Sequence, residues 1–484
     1  MRRFAAIAAF AFGACFFSTN VVQRRLTATD ELTTLRSVGP EQIHLAFAKP
    51  SSAASYSISV RWVTWELAST WVFSQAKEGK ERWFNGTSTS YSVGKYTSGR
   101  LHTAVLLDLP PSTAFRYRCG DPTAGQMSRT LRFKTPPLPA PPPSTFAAAA
   151  AAPPLVVGVV GDLGQTANSK LTLAGLAAEP SLAFVLHAGD LSYADCDPRR
   201  WDSYSRLVEP VASRLPWMAA AGNHEIEVDP DTGETYVAWE ARYAMPRERP
   251  AEFGPATTRR SGGDVAPSAD RVADGKSGLP PWRGLRAPAG RTAAVGEPAA
   301  EADARRRLEC TPSEFLGTYN FGNSFFSFDV ATLHVVVLNP YTDTAAGSPQ
   351  HDWLLEDLAA VDQTVTPWVV AVAHCPLYSS NAAHRSEAQA ERMKAAMEPV
   401  LVRNGVALLL TGHVHAYERS FPLDADGVPV SSSSNPEQLL SGALDGIGDG
   451  GGGDAGDDSD GGDDITGNRD AASAAGCRGR LQRR

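Results

Sequence analysis

Apolar and polar positions alternate with a period of two along several short runs between residues 39 and 136. This period is the pattern of half-buried strands, and turn residues separate one run from the next. The runs lie at 56–64, 69–73, 103–107, 114–119 and 129–133. We therefore predict an all-β sandwich over residues 39–136. No cluster of reactive side chains accompanies these runs, so we expect a structural or docking role for this domain.

The pattern changes after residue 136. Residues 137–154 are rich in proline and alanine, which predicts a stiff linker without a core. From residue 155 onward, continuous apolar runs typical of buried strands alternate with segments of helical periodicity, and Gly405 is well placed to end the last helix. The helical segments lie at 201–213, 350–361 and 387–403. This alternation predicts a second domain of α/β layers over residues 155–430.

Three further segments lack the pattern of a folded domain. Residues 1–22 combine two arginines with a long apolar stretch, which predicts a cleaved export signal; an uncleaved signal anchor is the alternative. Residues 247–312 are rich in Arg, Ala, Gly and Pro, and we expect an exposed, largely disordered insertion. Residues 431–484 form an acidic Ser/Gly/Asp tail, which cannot bury enough apolar surface to offset the entropy of ordering it.

The negative charge of the chain is concentrated at one end. The formal net charge is -8, and residues 420–484 carry 12 acidic side chains against 5 arginines, so the rest of the chain is nearly neutral. A basic nucleic-acid-binding surface is therefore not expected. No apolar run is long enough for a multi-pass membrane protein. With 43% hydrophobic residues, the chain can bury a sizeable core.

An export signal implies a compartment in which disulfides and glycans form. The six cysteines have no C-x-x-C spacing, and removal of Cys15 with the signal leaves five, so at least one is free or pairs between chains. Asn85 stands in the one N-x-S/T sequon without proline and is the predicted glycosylation site. We expect a secreted protein, located extracellularly, in the cell wall or in a vacuole. The sequence leaves open whether the chain forms a homodimer.

Five apolar runs of the second domain end in side chains that bind metal ions. The candidate ligands are Asp162, Asp190, Tyr193, Asn223, His374, His413 and His415. Ligands of an open α/β sheet gather beyond the carboxyl ends of its strands, and a neighbouring glycine lets the backbone turn sharply there. A single Gly-Asp is usually a turn, and a single buried histidine is usually a core residue. Five such strand ends in one region nevertheless predict a metal site.

The order of the five blocks, GDLG, GDLSY, GNHE, AVAH and GHVH, resembles the calcineurin-like metallophosphoesterases and, within them, the purple acid phosphatases. Most of the superfamily has His where this chain has Gly164, and its exchange for the downstream Tyr193 marks the purple branch. The resemblance covers roughly residues 39–136 and 155–430. It implies a mixed α+β or α/β fold class, with an N-terminal fibronectin-III-like β-sandwich and a four-layer α/β/β/α metallophosphoesterase domain.

The resemblance also implies a binuclear metal centre, to which it assigns the candidate ligands. The ligands of Fe(III) would be Asp162, Tyr193 and His415. The ligands of a divalent Zn, Mn or Fe ion would be Asn223, His374 and His413. Asp190 would bridge the two ions and so take part in catalysis. Carboxylate and phenolate suit a hard trivalent ion, whereas imidazole and amide groups suit a divalent one.

Beside the metal ligands, the resemblance implies residues that bind the substrate. His224 and His384 would contact the phosphate together with Asn223, and each histidine, when protonated, would bind the substrate or protonate the leaving group. This sequence departs from the family pattern at Ala383, where plant-type members have the first histidine of a pair. Weakened substrate binding or weakened protonation of the leaving group is therefore expected.

The activity that the resemblance implies is hydrolysis of phosphate monoesters at acidic pH, with small phosphate esters as substrates. One alternative keeps the metals but changes the substrate to nucleotide pyrophosphates or phosphodiesters. Another is a non-catalytic secreted binding protein, because the sequence after GHVHAYER departs from the family pattern. The presence of all seven metal ligands argues against a non-catalytic protein.

Overall fold

The computed structural model of the protein describes residues 39–77, 79–138, 154–246, 310, 319–382, 384 and 387–420. The predicted signal peptide, most of the linker, nearly all of the insertion and the acidic tail lie outside these residues. Every helix within the described ranges is too short or too polar to span a lipid bilayer.

Antiparallel strands build the first region, as the alternating pattern predicts. One sheet contains, in spatial order, β1 (Glu41–Ala48), β2 (Tyr56–Thr64), β8 (Arg100–Leu109) and β5 (Thr87–Thr89). The other contains β10 (Gln126–Met127), β9 (Ala114–Asp121), β3 (Trp71–Ala76) and β4 (Glu81–Asn85), and β11 (Leu131–Lys134) also pairs with β9. A short hairpin joins β6 (Ser92–Val93) and β7 (Tyr96–Thr97). Each of the five predicted runs overlaps one of these strands.

Two further sheets form the second region. The first is parallel and contains β12 (Val156–Val160), β13 (Leu182–His187) and β14 (Trp217–Ala219). The second contains β15 (Phe326–Val330), β16 (Leu333–Val337), β17 (Trp368–Val372) and β18 (Val406–Leu410). Within it, β15 is antiparallel to β16, whereas β16, β17 and β18 are parallel. The carboxyl ends of β12, β13, β14, β17 and β18 carry the five predicted metal-binding blocks.

Helices flank both of these sheets. They are α1 (Ala167–Ala178), α2 (Arg199–Ala212), α3 (Val237–Arg242), α4 (Pro349–Ala360) and α5 (Ala388–Arg403). Thr166 and Ser169 form a capping box at the start of α1, and the Ser348 hydroxyl caps α4 by accepting a hydrogen bond from the backbone of His351. The three predicted helical segments correspond to α2, α4 and α5. Gly405 follows α5 with a φ of 70°, as a helix-terminating glycine does.

The two faces of the β15–β18 sheet belong to different hydrophobic clusters. Val336 and Val369 pack with Trp353 of α4 and Met393 of α5. On the opposite face, residues such as Val335 share a core with the β12–β14 sheet. Helices α1 and α2 lie against that sheet: a Cβ added to Gly158 in β12 would come within 2.9 Å of the Leu176 side chain, and the Tyr204 hydroxyl lies 3.2 Å from His187 Nδ1. These contacts give the predicted order of helices, two sheets and helices.

The β-sandwich and the second region share one continuous core. Phe47 of β1 packs against Phe184 and Phe328 of the two central sheets, with ring centroids 5.5 and 5.7 Å apart. The Tyr117 hydroxyl donates a hydrogen bond of 2.6 Å to the carbonyl of Ser213, which follows α2. The Glu209 carboxylate accepts a hydrogen bond from the backbone of Gln42 at 2.7 Å. The sandwich is therefore packed against the domain that carries the metal-binding blocks.

A disulfide joins two of the cysteines within the chain. Cys196 and Cys310 are bonded across a separation of 114 residues, with their Cα atoms 5.8 Å apart. Within the described residues Cys119 and Cys375 form no disulfide and are buried, which agrees with the expectation that at least one cysteine is free. Cys310 was expected to lie in an exposed insertion, but it is only 4% exposed. The expectation failed at this residue because a pairing partner cannot be identified from composition.

Candidate metal centre

The loops after five strands bring the predicted ligands to one place. Several of these residues have left-handed backbone conformations: φ is 53° at Asp162, 56° at Asp190, 47° at Tyr193 and 68° at His413. Such conformations cost on the order of 1–3 kcal/mol each for non-glycine residues and cluster at functional sites. Their concentration in these loops indicates that the loop geometry is determined by where the side chains must lie rather than by the preferred backbone conformation.

Glycines let the loops approach one another closely. A Cβ added to Gly222 would lie 2.1 Å from Asp190 Oδ1, and one added to Gly412 would lie 2.6 Å from Asp162 Oδ2. Gly164 packs against the Tyr193 ring, since an added Cβ there would lie 3.2 Å from Tyr193 Cδ2. The glycines of GDLG, GNHE and GHVH are thus required by the packing of neighbouring ligands.

One group of ligands surrounds Asp162. The Tyr193 hydroxyl lies 3.2 Å from Asp162 Oδ1 and 2.9 Å from His415 Nε2. His415 Nε2 lies 3.4 Å from the same Asp162 oxygen. The resemblance assigns these three residues to Fe(III), and the structure brings them together.

A second group surrounds Asp190. His374 Nε2 lies 3.2 Å from Asp190 Oδ2 and 3.2 Å from His413 Nδ1. The ligand atoms of Asp190, His374 and His413 all lie within 4.8 Å of one another. Asp162 joins the two groups, since His374 Nε2 lies 3.9 Å from its Oδ1. Asn223 is linked to this group only indirectly: the Tyr341 hydroxyl donates to Asn223 Oδ1 at 3.2 Å, and the Tyr341 ring centroid lies 6.1 Å from that of His374.

Backbone and carboxylate groups hold these ligands in place. His374 Nδ1 lies 2.7 Å from the carbonyl oxygen of Ala188, which leaves Nε2 for the centre. The backbone of His413 donates to Asp162 Oδ2 at 2.8 Å. The buried Glu225 carboxylate accepts hydrogen bonds from the backbones of Asp190, Leu191 and Gly222 at 2.7–2.8 Å. Glu225 therefore fixes two ligand-bearing loops relative to each other.

The electrostatics of the cluster favour a bound cation. Burial raises the pKa of the Asp162 carboxyl, and Asp190 beside it adds to the effect. Burial and the carboxylates of Asp190 and Asp162 also raise the pKa of Tyr193 far above its usual value. Burial opposes the charged form of His374, but Asp190 and Asp162 outweigh it and raise its pKa to about 9. Buried carboxylates and a phenol this close together repel one another as anions, and metal ions would remove that repulsion. The donor set therefore fits two metal ions.

Both histidines predicted to contact substrate lie beside the centre. His224 Nδ1 is 2.5 Å from Asp195 Oδ1, and its ring centroid is 4.2 Å from that of Tyr193. Burial opposes protonation of His224, but its bond to Asp195 and the nearby Asp190 raise its pKa overall. The His384 ring centroid lies 4.3 Å from that of His413.

Comparison with known proteins agrees with this geometry. The sequence model of the calcineurin-like phosphoesterases matches residues 155–417, and that of the purple acid phosphatase N-terminal domain matches residues 40–135. Probable purple acid phosphatase 20 of Arabidopsis thaliana is 32% identical over 383 residues, which cover 78% of this chain and 69% of the relative. The chain belongs to the purple acid phosphatase family. Purple acid phosphatase 18 of the same plant is 33% identical, and the alignment covers 79% of this chain and 66% of that one.

A solved structure supports the fold of this purple acid phosphatase family member. The purple acid phosphatase from yellow lupin (Lupinus luteus) seeds superposes with a TM-score of 0.57 at 19% identity, covering 81% of this chain and 61% of the lupin chain. The chain thus spans about two thirds of the length of its relatives. The predicted family and fold class are confirmed.

Sequence reasoning missed several residues that support the purple acid phosphatase centre. Asp195 and Glu225 lie within or next to recognised blocks, but Asp195 contacts a histidine of another loop, and Glu225 accepts from backbone amides of another loop as well as of its own. Tyr341 and Glu387 lie outside all five blocks. The predicted glycosylation residue, Asn85, lies at the end of β4 and is exposed, in the sandwich rather than at the centre.

Proposed function

We propose that this chain is an acid phosphatase that hydrolyses phosphate monoesters with a binuclear Fe(III)–M(II) centre, in which M is Zn, Mn or Fe. The observation that carries the proposal is the convergence of five strand ends on Asp162 and Asp190. Tyr193 and His415 gather on one side, and His374 and His413 gather on the other. Phenolate and carboxylate suit a trivalent ion, whereas imidazole suits a divalent one.

The residues beside the ligands can bind and protonate a phosphate ester. When bound, the two ions supply Lewis acidity that polarises the ester and activates water. His224 Nδ1 faces Asp195, and its Nε2 lies 3.9 Å from Asp190 Oδ2, on the side of the metal ligands. From there, Nε2 would donate a hydrogen bond to a phosphate oxygen. His384 would bind the phosphate or donate a proton to the departing alkoxide.

Metal analysis combined with turnover of a chromogenic aryl phosphate at acidic pH tests this function. Asp190→Ala removes the carboxylate that we propose bridges the two ions, so metal content and turnover should collapse together. Asp231→Asn, at an exposed carboxylate, is the matched control and should leave both unchanged. Retention of both ions and near-normal turnover in Asp190→Ala would contradict the binuclear assignment.

Export from the cell is part of the same proposal. The Cys196–Cys310 disulfide and the exposed sequon at Asn85 support an oxidising, glycosylating compartment. If the chain is exported, glycosidase treatment should lower its apparent mass, and Asn85→Gln should reproduce that decrease. A full-length chain from the native source that carries no glycan and keeps its signal would contradict export.

A further inference from the structure

The carboxylate of Glu387 lies between two histidines of the candidate centre. Its Oε1 is 2.9 Å from His384 Nδ1, and its Oε2 is 2.8 Å from His413 Nε2. One of these histidines is a candidate metal ligand and the other a candidate substrate-binding residue. The Glu387 side chain therefore contacts both a candidate metal ligand and a candidate substrate-binding residue.

The start of α5 places this carboxylate. Glu387 immediately precedes α5, where the positive end of the helix dipole favours a negative charge. Gln389, which is 4% exposed, donates a hydrogen bond from Nε2 to Glu387 Oε2 at 2.7 Å. The Glu387 side chain is itself 24% exposed, so the helix and Gln389 restrict it at the edge of the site.

The bonds of Glu387 determine which ring nitrogens face the centre. His413 Nδ1 lies 3.2 Å from His374 Nε2, among the ligands assigned to the divalent ion, so its Nε2–H is left to donate to Glu387. A ligating histidine commonly donates its other N–H to a carboxylate, which fixes its tautomer and ring orientation. His384 uses Nδ1 toward Glu387, which leaves Nε2 as the nitrogen that can reach a substrate.

We propose that Glu387 is a positioning residue that couples metal binding to protonation of the leaving group. One oxygen holds His413 in the orientation that binds the divalent ion, and the other holds His384 toward the ester. This role rests on the proposed phosphatase function. Glu387 touches neither the ester nor the reacting atoms, so it acts through the two histidines.

A different role for Glu387 would be as a metal ligand itself. The ligand atoms of Cys375, Glu387 and His413 lie within 4.8 Å of one another. The Cys375 sulfur, however, lies 3.0 Å from the Tyr341 hydroxyl. Glu387 places one oxygen against each of two histidines, at 2.9 Å and 2.8 Å, so we favour the positioning role. Cys375→Ser separates the two roles.

The test uses the full chain with its metals bound. Glu387→Ala should weaken retention of the divalent ion against a chelator by about 10–100-fold, the usual effect of removing such a carboxylate. Glu387→Asp should restore part of the loss because it keeps the charge. Glu391→Ala, an exposed glutamate of α5, is the matched control and should retain the ion as the wild type does. Glu387→Gln has nearly the same shape as the wild-type side chain and serves if the alanine variant does not fold.

Ester dependence gives the second readout. Relative to wild type, Glu387→Ala should slow alkyl phosphates about 10-fold more than activated aryl phosphates, which need little protonation of the leaving group. In a His384→Ala background this difference should vanish, while the loss of metal retention should persist. A general fold defect would not separate the difference between alkyl and aryl phosphates from the loss of metal retention.

Two results would overturn the proposal. If the wild type is active and metal-loaded, unchanged metal retention in both Glu387→Ala and Glu387→Gln would refute the positioning role of Glu387 but not the proposed function. Equal loss of metal in Cys375→Ser and Glu387→Ala would show a ligand set that includes both residues. A wild-type chain without metals or turnover would instead refute the proposed function.

Discussion

Replacement of Arg242 tests the coupling between the β-sandwich and the metal-binding domain. Its guanidinium is 2% exposed and lies 2.8 Å from Asp202 Oδ1. It also donates to the Tyr91 hydroxyl at 2.7 Å, to the Tyr96 hydroxyl at 2.7 Å and to Gln42 Oε1 at 2.9 Å. Three of these four partners belong to the sandwich. Arg242→Met keeps much of the volume and removes the charge and all donors.

The expected loss follows from what remains behind. Removing one partner of a buried ion pair costs about 3–5 kcal/mol because the other charge stays buried without compensation. Asp202 still accepts hydrogen bonds from Tyr96 at 2.9 Å and from Gln42 at 3.3 Å. These bonds place the expected loss near the lower end, at about 3 kcal/mol of unfolding free energy.

Urea unfolding of wild type, Arg242→Met and Arg242→Met/Asp202→Asn measures this effect. The double variant should recover about half of the loss, because it removes the uncompensated carboxylate. The two regions share one core, so a single transition is expected. A loss below about 0.5 kcal/mol in Arg242→Met, the range of an ordinary surface change, would refute the reasoning. So would a double variant less stable than the single one.

Three other predictions concern individual side chains. The buried His334 lies 2.7 Å from Asp329 and 3.0 Å from Asp357, and these carboxylates outweigh burial and raise its pKa to about 9. Its stabilising effect is therefore complete below pH 6.5, its usual pKa, and is lost as the pH rises through 9. In urea unfolding, His334→Gln should cost about 1–2 kcal/mol of unfolding free energy at pH 6, a modest value because Asp329 is exposed and its charge is screened. At pH 10, where His334 is neutral, the substitution should cost almost nothing. An equal cost at both pH values would contradict this. Tyr193→Phe should abolish the visible charge-transfer band of the iron-loaded protein while circular dichroism stays unchanged, whereas an iron-loaded wild type without that band would contradict ligation by Tyr193. His384→Ala should slow alkyl phosphates by about 100-fold or more in steady-state assays, and aryl phosphates less; equal losses would indicate phosphate binding alone.

The sequence predicted what depends on local pattern. Strand and helix periodicity located β2 and α5 within a residue or two. The structure also brings the strand-end residues Asp162 and His374 together, with Oδ1 and Nε2 3.9 Å apart. They meet because the carboxyl ends of neighbouring parallel strands lie at one edge of a sheet. The types of side chain at these strand ends, namely carboxylate, phenol, amide and imidazole, then indicated metal binding.

Contacts between distant segments could not be predicted in this way. Arg242 reads as an ordinary charged residue of a short helix, and only the docking of the sandwich buries it. Glu387 contacts His413 across 26 residues because the start of α5 places the Glu387 carboxylate beside the His413 ring. The Cys196–Cys310 pairing spans 114 residues, including a segment with no periodic pattern. Each depends on tertiary packing, on which periodicity carries no information.

Stepwise reconstitution of metal-stripped protein tests the central claim most directly. Iron and then zinc or manganese would be added while bound metal per chain and turnover of an aryl phosphate at acidic pH are recorded. The binuclear account predicts two ions per wild-type chain, with turnover rising only as the second ion binds. Full turnover with a single bound ion, or no turnover once two are bound, would contradict it.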